Sequence, residues 1–166
     1  YVGHDALLGN FDHQLIGVPV IAVLDGTVVD LRDGEPDQNT EHEDRPGNFI
    51  GIHHGGERYC WYDCLKQGSI SVEVGQEVRA GEQIAQVGAS GGADWPLMAF
   101  SVWVPTGNED EWTHDEPYAG QCNLGLSGWK NQVGIPEGTT CRDFGVTTTD
   151  LNEFFADGIL QWRPPM

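Results

Sequence analysis

Between Ser69 and Phe100 the chain reads SISVEVGQEVRAGEQIAQVGASGGADWPLMAF, and no other stretch limits its fold as tightly. Ile70, Val72 and Val74 alternate with polar residues, the period-two pattern of a strand with one buried face. A strand is therefore predicted over Ser69–Val74, a second short one after the Gly75-Gln76 turn, and a third over Gln83–Val87 after Gly81-Glu82. Each turn carries glycine, for which positive φ costs little. Strands this short and this closely punctuated leave no room for crossover helices, so neighbours must pair antiparallel.

The same grammar extends upstream. Residues 17–30, GVPVIAVLDGTVVD, predict a hairpin about Asp25-Gly26. The run from Gly47 to His53 alternates and predicts a strand, followed by a Gly55-Gly56 turn and another strand over Glu57–Tyr62. With 23 glycines at turn-like intervals, the expected fold class is mainly β, an antiparallel β-sheet assembly over residues 1–105. After Pro105 the character changes. Residues 106–147 are turn-rich with scattered Trp112, Tyr118 and Trp129, and Asp150-Leu151-Asn152-Glu153 predicts the N-cap and capping box of one short helix stopped by Gly158. Residues 106–166 are thus expected to form a loop-rich C-terminal extension packed on the β domain, with Leu160 and Trp162 buried against it.

Eight basic against 26 acidic residues give a formal charge of −18. This opposes binding to nucleic acid, anionic lipid or polyanionic polymers, and suits a salty or extracellular setting. No run of about 18 apolar residues exists, so no membrane insertion is expected. No secretory leader is read in these residues; Tyr1 is not an initiator, which fits a mature or trimmed form. Cys60, Cys64, Cys122 and Cys141 form an even set without zinc-ribbon spacing. Cys60 and Cys64, four residues apart in a strand, would lie about 13 Å apart, against less than about 7 Å for a bridge. They pair only if the strand breaks near Asp63. Either each ties down the tail through Cys122 or Cys141, or the chain turns there and Cys122–Cys141 closes its own loop, the arrangement a loop-rich tail favours.

Several ordered motifs resemble one family. Gly17-Val18-Pro19-Val20, Ala22-Val23-Leu24-Asp25-Gly26-Thr27-Val28, Gly47-Asn48-Phe49-Ile50-Gly51-Ile52-His53-His54-Gly55, the glycine-punctuated stretch above and Leu97-Met98-Ala99-Phe100 follow the pattern of the lysostaphin-like (LytM-type) zinc metallopeptidases. These enzymes cut peptide cross-bridges in bacterial cell walls. The resemblance covers residues 4 to about 104 and implies the duplicated, hybrid-motif β fold of that family. It also implies zinc ligands from a His–Asp motif and from the second His of His-x-His, with the first His of that pair and the His of Tyr-x-His-Leu handling protons. A catalytic zinc needs three protein ligands and an open water position. Carried onto this chain, Tyr62-Asp63-Cys64-Leu65 puts Cys64 at the auxiliary histidine, and Leu97 and Ala99 replace the His-x-His pair. His4 and Asp12 are what remains of the first motif, with seven residues between them where the family's shortest spacing is His-x-x-x-Asp. In a secreted setting the resemblance also favours two disulfides over free thiols.

The expected protein is therefore a catalytically inactive homologue, with no catalytic residues and no cofactor, retained for binding, scaffolding or regulation in an envelope or extracellular assembly. Its location would be secreted, periplasmic or cell-surface, and its partner a peptidoglycan peptide or an envelope protein. Tyr62, Trp95 and Met98 are the groove or binding candidates, and Trp61, Trp95, Trp103 and Trp112 could form an aromatic platform. One rival is an active zinc peptidase with ligands rebuilt from His4, Asp12, His13, His53, His54 or His114. Another is a structural, oligomer-forming subunit. Adjacent His53 and His54 should face opposite sides of a strand and share no ion. The acidic loop with Asp30, Asp33, Glu35, Asp37, Glu41, Glu43 and Asp44 offers oxygens for calcium but lacks a calcium-loop signature, which favours a solvated rim.

Overall fold

The structure, a computed structural model, describes residues 3–38, 45–108, 111–115 and 145–146. Ten strands and one helix follow in order: β1 (His4–Leu8), α1 (Phe11–Ile16), β2 (Pro19–Ile21), β3 (Gly26–Arg32), β4 (Asn48–His53), β5 (Tyr59–Leu65), β6 (Glu77–Val78), β7 (Gln83–Gln86), β8 (Leu97–Pro105), β9 (Trp112–His114) and β10 (Gly145–Val146). The main sheet runs β10-β1-β8-β5-β4-β3-β6, with β9 also on β8, while β2 and β7 form a separate two-stranded sheet. Every pairing is antiparallel except β10 on β1. The mainly β, antiparallel fold expected from the glycine-punctuated pattern is the fold observed.

Period two decides which side chains enter the core. Ala6, Ile50, Ile52, Cys60, Tyr62, Met98, Phe100 and Val102 line one face of the main sheet and pack with Val20 and Ile84 of the small one. The Tyr62 hydroxyl sits in this core and accepts the Val23 N–H at 2.9 Å, tying the small-sheet arm to β5. At the sheet centre Gly51 is required by close approach: a Cβ there would lie 2.8 Å from the Trp61 ring, which lies across the glycine.

Several local expectations are corrected. Residues 17–30 do contain two strands, yet they do not form a hairpin: β2 pairs with β7 and β3 with β4 and β6. Burying Val20 against Ala85 and Ile84 outweighs the local turn signal. Ser69–Val74 is not a strand; only Ser71 donates to Ile84 O, while Val72 packs into the core. The turns at Gly75 and Gly81 are present, both at positive φ. Helix α1 was not foreseen. Asn10 caps it by accepting the His13 N–H at 3.0 Å, and Gly17 at φ 86 ends it. Cys60 and Cys64 are free thiols rather than disulfide halves. Cys60 points into the core and Cys64 occupies a distorted position at φ 60, so the two do not face each other. Cys122, Cys141 and the helix expected after Asp150 lie outside the described residues.

Candidate functional site

The face of the main sheet opposite the core is where the resemblance puts the chemistry. Leu97 and Ala99 of β8 share that face, since Met98 and Phe100 between and beyond them are in the core. Directly opposite Ala99 stand Asp5 of β1 on one side and Asp63 of β5 on the other. Opposed residues in antiparallel strands point the same way, so Asp5, Ala99 and Asp63 form one row.

A bulge brings Cys64 to the same region. Ile50 pairs with Tyr62 but Asn48 pairs with Leu65, so β5 carries one extra residue against β4. Cys64 takes the left-handed conformation at φ 60, which re-aims a side chain as bulges beside active sites do. The bulge is held from behind. Asn48, fully buried, donates through Nδ2 to Leu65 O at 3.0 Å and to Glu35 O at 2.9 Å. Ser90 Oγ donates to the same Leu65 carbonyl at 2.7 Å and accepts the Asn48 N–H at 3.0 Å.

The chemistry of this cluster is that of acids and a thiol without imidazole. Burial pushes the Cys64 thiol up to about 12, reinforced by the charges of Asp63 and Asp5, so it is neutral at physiological pH. Burial alone pushes the Asp63 carboxyl up to about 6. Leu97 and Ala99 offer no donor atom, and no group of three or more His, Cys, Asp or Glu able to hold a metal ion occurs among the described residues. The described residues therefore do not fit the catalytic zinc that the resemblance implies, which needs three protein ligands and an open water position.

The other candidates fall elsewhere. His4 pairs with Phe100, so it lies in the row of the core face and not in that of Asp5 and Ala99. Asp12 is exposed on α1, beyond the far end of β1, and the strand alone separates His4 from that end by roughly 13 Å. Counted back from Asp12, the His-x-x-x-Asp spacing falls on Leu8, a core residue, with His4 a further four residues upstream. Tyr62 and Met98 are core residues and not groove residues, because the period-two alternation turns them away from Leu97, Ala99 and Asp63. Trp95 lies at the corner of β1 and α1, with its ring 5.6 Å from Phe11 and its Nε1 donating to Leu8 O.

The histidine pair is spent on turns. His53 Nε2 meets Gly56 O at 2.9 Å and its ring stacks on Tyr59, while His54 Nδ1 meets Asp25 O at 3.0 Å. Burial, the largest effect, lowers the His54 pKa and keeps the ring neutral. His13 lies against Gly9, and His114 packs edge-on against Trp103. In the acidic loop, Asp33 accepts the N–H groups of Gly34 and Gly68, and Asp37 those of Gln67 and Ala89. These carboxylates staple the loop to the sheet. Glu41, Glu43 and Asp44 lie outside the described residues. Of the four tryptophans, Trp61 and Trp103 share the open face and Trp112 joins them through Tyr59, whereas Trp95 stands apart.

Together these features define a peptidase-type β scaffold whose face opposite the core carries Asp5, Leu97, Ala99 and Asp63 with a bulge beside them, while the imidazoles of that face, His53 and His114, stand in the Tyr59–Trp103 row and not at Ala99. The sequence profile described as peptidase family M23 matches residues 12–112, and the chain belongs to that family. Among solved structures it is similar to a zinc-containing peptidase from Vibrio cholerae, at 29% identity over 60% of this chain and 26% of that one, with a TM-score of 0.45. It is similar to the catalytic domain of the antimicrobial peptidase lysostaphin from Staphylococcus simulans at 26% identity, covering 59% of this chain and 67% of that one, TM-score 0.44. A third is the mutant catalytic domain of the prophage-encoded M23 protein EnpA from Enterococcus faecalis, at 22% identity over 61% and 68%, TM-score 0.46. The chain thus spans about a quarter of the Vibrio cholerae protein. A search of curated proteins gives no match.

Proposed function

We propose that this chain is a catalytically silent member of peptidase family M23 that binds wall-type peptide without cutting it, as a binding, scaffolding or regulatory module of an envelope or extracellular assembly. One observation carries the reading: Leu97 and Ala99 occupy the open-face positions of β8, with a neutral thiol at residue 64. Zinc-assisted hydrolysis needs a metal-bound water and a group that accepts and returns its proton. None of the three side chains supplies either. Loss of one such group typically costs on the order of a hundredfold in rate, and three losses compound.

The test pairs elemental analysis with turnover. The purified chain is equilibrated with zinc, desalted and assayed on cell-wall peptides with glycine cross-bridges and with direct cross-links, and its retention on insoluble wall is measured alongside. Substoichiometric zinc, no new amine termini and retention on wall are expected. One zinc per chain together with cleavage overturns the proposal.

A further inference from the structure

The open face presents two chemistries side by side. One is the row of Asp5, Ala99 and Asp63. The next row along β8 and β5 on the same face is that of Ser101 and Trp61. Side chains on one face repeat every two residues, so the rows lie about 7 Å apart. Trp61 lies across Gly51 with Phe49 at 5.5 Å, and beyond it Tyr59 meets His53 at 4.6 Å and Trp112 at 5.1 Å. Trp112 is 44% exposed, and Phe49, Tyr59 and Trp61 are each partly exposed.

Neither the Asp5 nor the Asp63 carboxylate has a hydrogen-bond or ion-pair partner among the described residues. The described ion pairs, Arg32 with Glu35 and Arg58 with Asp115, use other groups. No neighbouring cation offsets the burial of Asp63. With 8 basic against 26 acidic residues, most carboxylates of the chain have no basic side chain to pair with. Aromatic faces select the same sign of charge, because a ring's quadrupole attracts cations. An anionic or neutral partner would use one of these features and clash with, or ignore, the other.

We propose that this face is a docking surface for a basic peptide, with one ammonium or guanidinium held between the carboxylates of Asp5 and Asp63 and the next same-side residue lying on Trp61. The proposal rests on the reading that the chain binds peptide without cutting it, and it names the partner's chemistry. An extended peptide presents same-side residues at about 6.8 Å, which matches the spacing of the two rows. Ala99 is 4% exposed, whereas Asp5 beside it is exposed and Asp63 partly so, which makes the acids and not the strand floor the groups a peptide can reach.

The full chain is titrated with a glycine heptapeptide carrying lysine at two alternate positions, with the same peptide acetylated on both lysines, and with heptaglycine, by tryptophan fluorescence and calorimetry. The lysine peptide is expected to bind, and acetylation to weaken it by about tenfold or more. Asp5→Asn with Asp63→Asn should reproduce that loss while leaving heptaglycine unaffected, and Trp61→Ala should weaken the lysine peptide and abolish most of its fluorescence change. Added salt should weaken only the unmodified peptide. Equal affinity for the acetylated and unmodified peptides overturns the proposal and leaves the peptide-binding reading intact. Failure of all three peptides to bind overturns both, and sedimentation of the same sample then reports whether a second copy covers the face. Cleavage of a peptide in zinc overturns the functional reading alone.

Discussion

Replacing Asp63 by asparagine should make the protein more stable. Its carboxyl is raised from an ordinary 3.8 to about 6 by burial, with no neighbouring positive charge in compensation. At 1.36 kcal/mol per tenfold change in the ionisation constant, carrying that carboxylate ionised in the folded state costs about 3 kcal/mol at neutral pH. The carboxamide is also desolvated, at roughly 1 kcal/mol, which leaves a gain of about 2 kcal/mol for Asp63→Asn. In a chain of this length that corresponds to a rise in Tm of about 4–8 °C. The sign with pH is fixed by linkage. The folded state holds the proton more tightly than the unfolded one, so stability falls as pH rises from 3.8 to about 6. The penalty is fully present above that window and absent below it. Urea denaturation of both proteins from about pH 4 to 8 should therefore show curves that meet at the acid end and separate by neutrality. Glu73→Gln, which removes an exposed carboxylate, controls for net charge and should move stability by less than about 0.5 kcal/mol. A gap that is absent, or equally large at pH 4, refutes the claim that a desolvated and uncompensated carboxylate sits beside Ala99.

Three further outcomes follow from other contacts. Tyr62→Phe removes the acceptor of the Val23 N–H and should cost about 1–2 kcal/mol in chemical denaturation without changing the m-value. Gly51→Val forces a side chain into the plane where the Trp61 ring lies and should destabilise by about 1–3 kcal/mol, with a red-shifted, more exposed tryptophan emission. The surplus of acidic over basic residues should make Tm rise with sodium chloride through screening of self-repulsion, most steeply at low salt, and a salt-independent Tm would contradict it.

What the sequence made legible was whatever period two and turn chemistry dictate locally. The strands over Asn48–His53 and Gln83–Gln86 and the turns at Gly55, Gly75 and Gly81 follow from alternation and from positions where φ is positive. Pairing was less legible, because it is decided by burial across distant segments: Val20 meets Ala85 some 65 residues away in preference to its neighbour across the Asp25-Gly26 turn. At the site, the lack of donor atoms on Leu97 and Ala99 could be read directly, since side-chain chemistry needs no geometry. What stands beside them could not. Asp5 and Asp63 come from segments almost 60 residues apart and meet only through the register of β1, β8 and β5. Alternation along β8 was available from the start and would have removed Met98 from the groove. The bulge at Cys64 left no signal, because its residue is not glycine.

That bulge also shows how the backbone at residue 64 is held. A non-glycine residue at φ 60 is strained by roughly 1 kcal/mol or more, and nothing in the open face repays it. The compensation lies behind the sheet, where Asn48 and Ser90 both bond the Leu65 carbonyl and Leu65 itself is buried in the core. Site geometry is thus set by a buried polar network independent of what side chain residue 64 carries. Asn48→Ala should therefore do two things together. It strands the Glu35 N–H and carbonyl and leaves the Leu65 carbonyl to Ser90 alone, costing about 2–4 kcal/mol by denaturation. It should also free the bulge, so that Cys64 reacts faster with an alkylating reagent, read site by site by mass spectrometry, while core Cys60 stays protected below the unfolding transition. Loss of stability with Cys64 reactivity unchanged would show that the bulge is held by something other than this network.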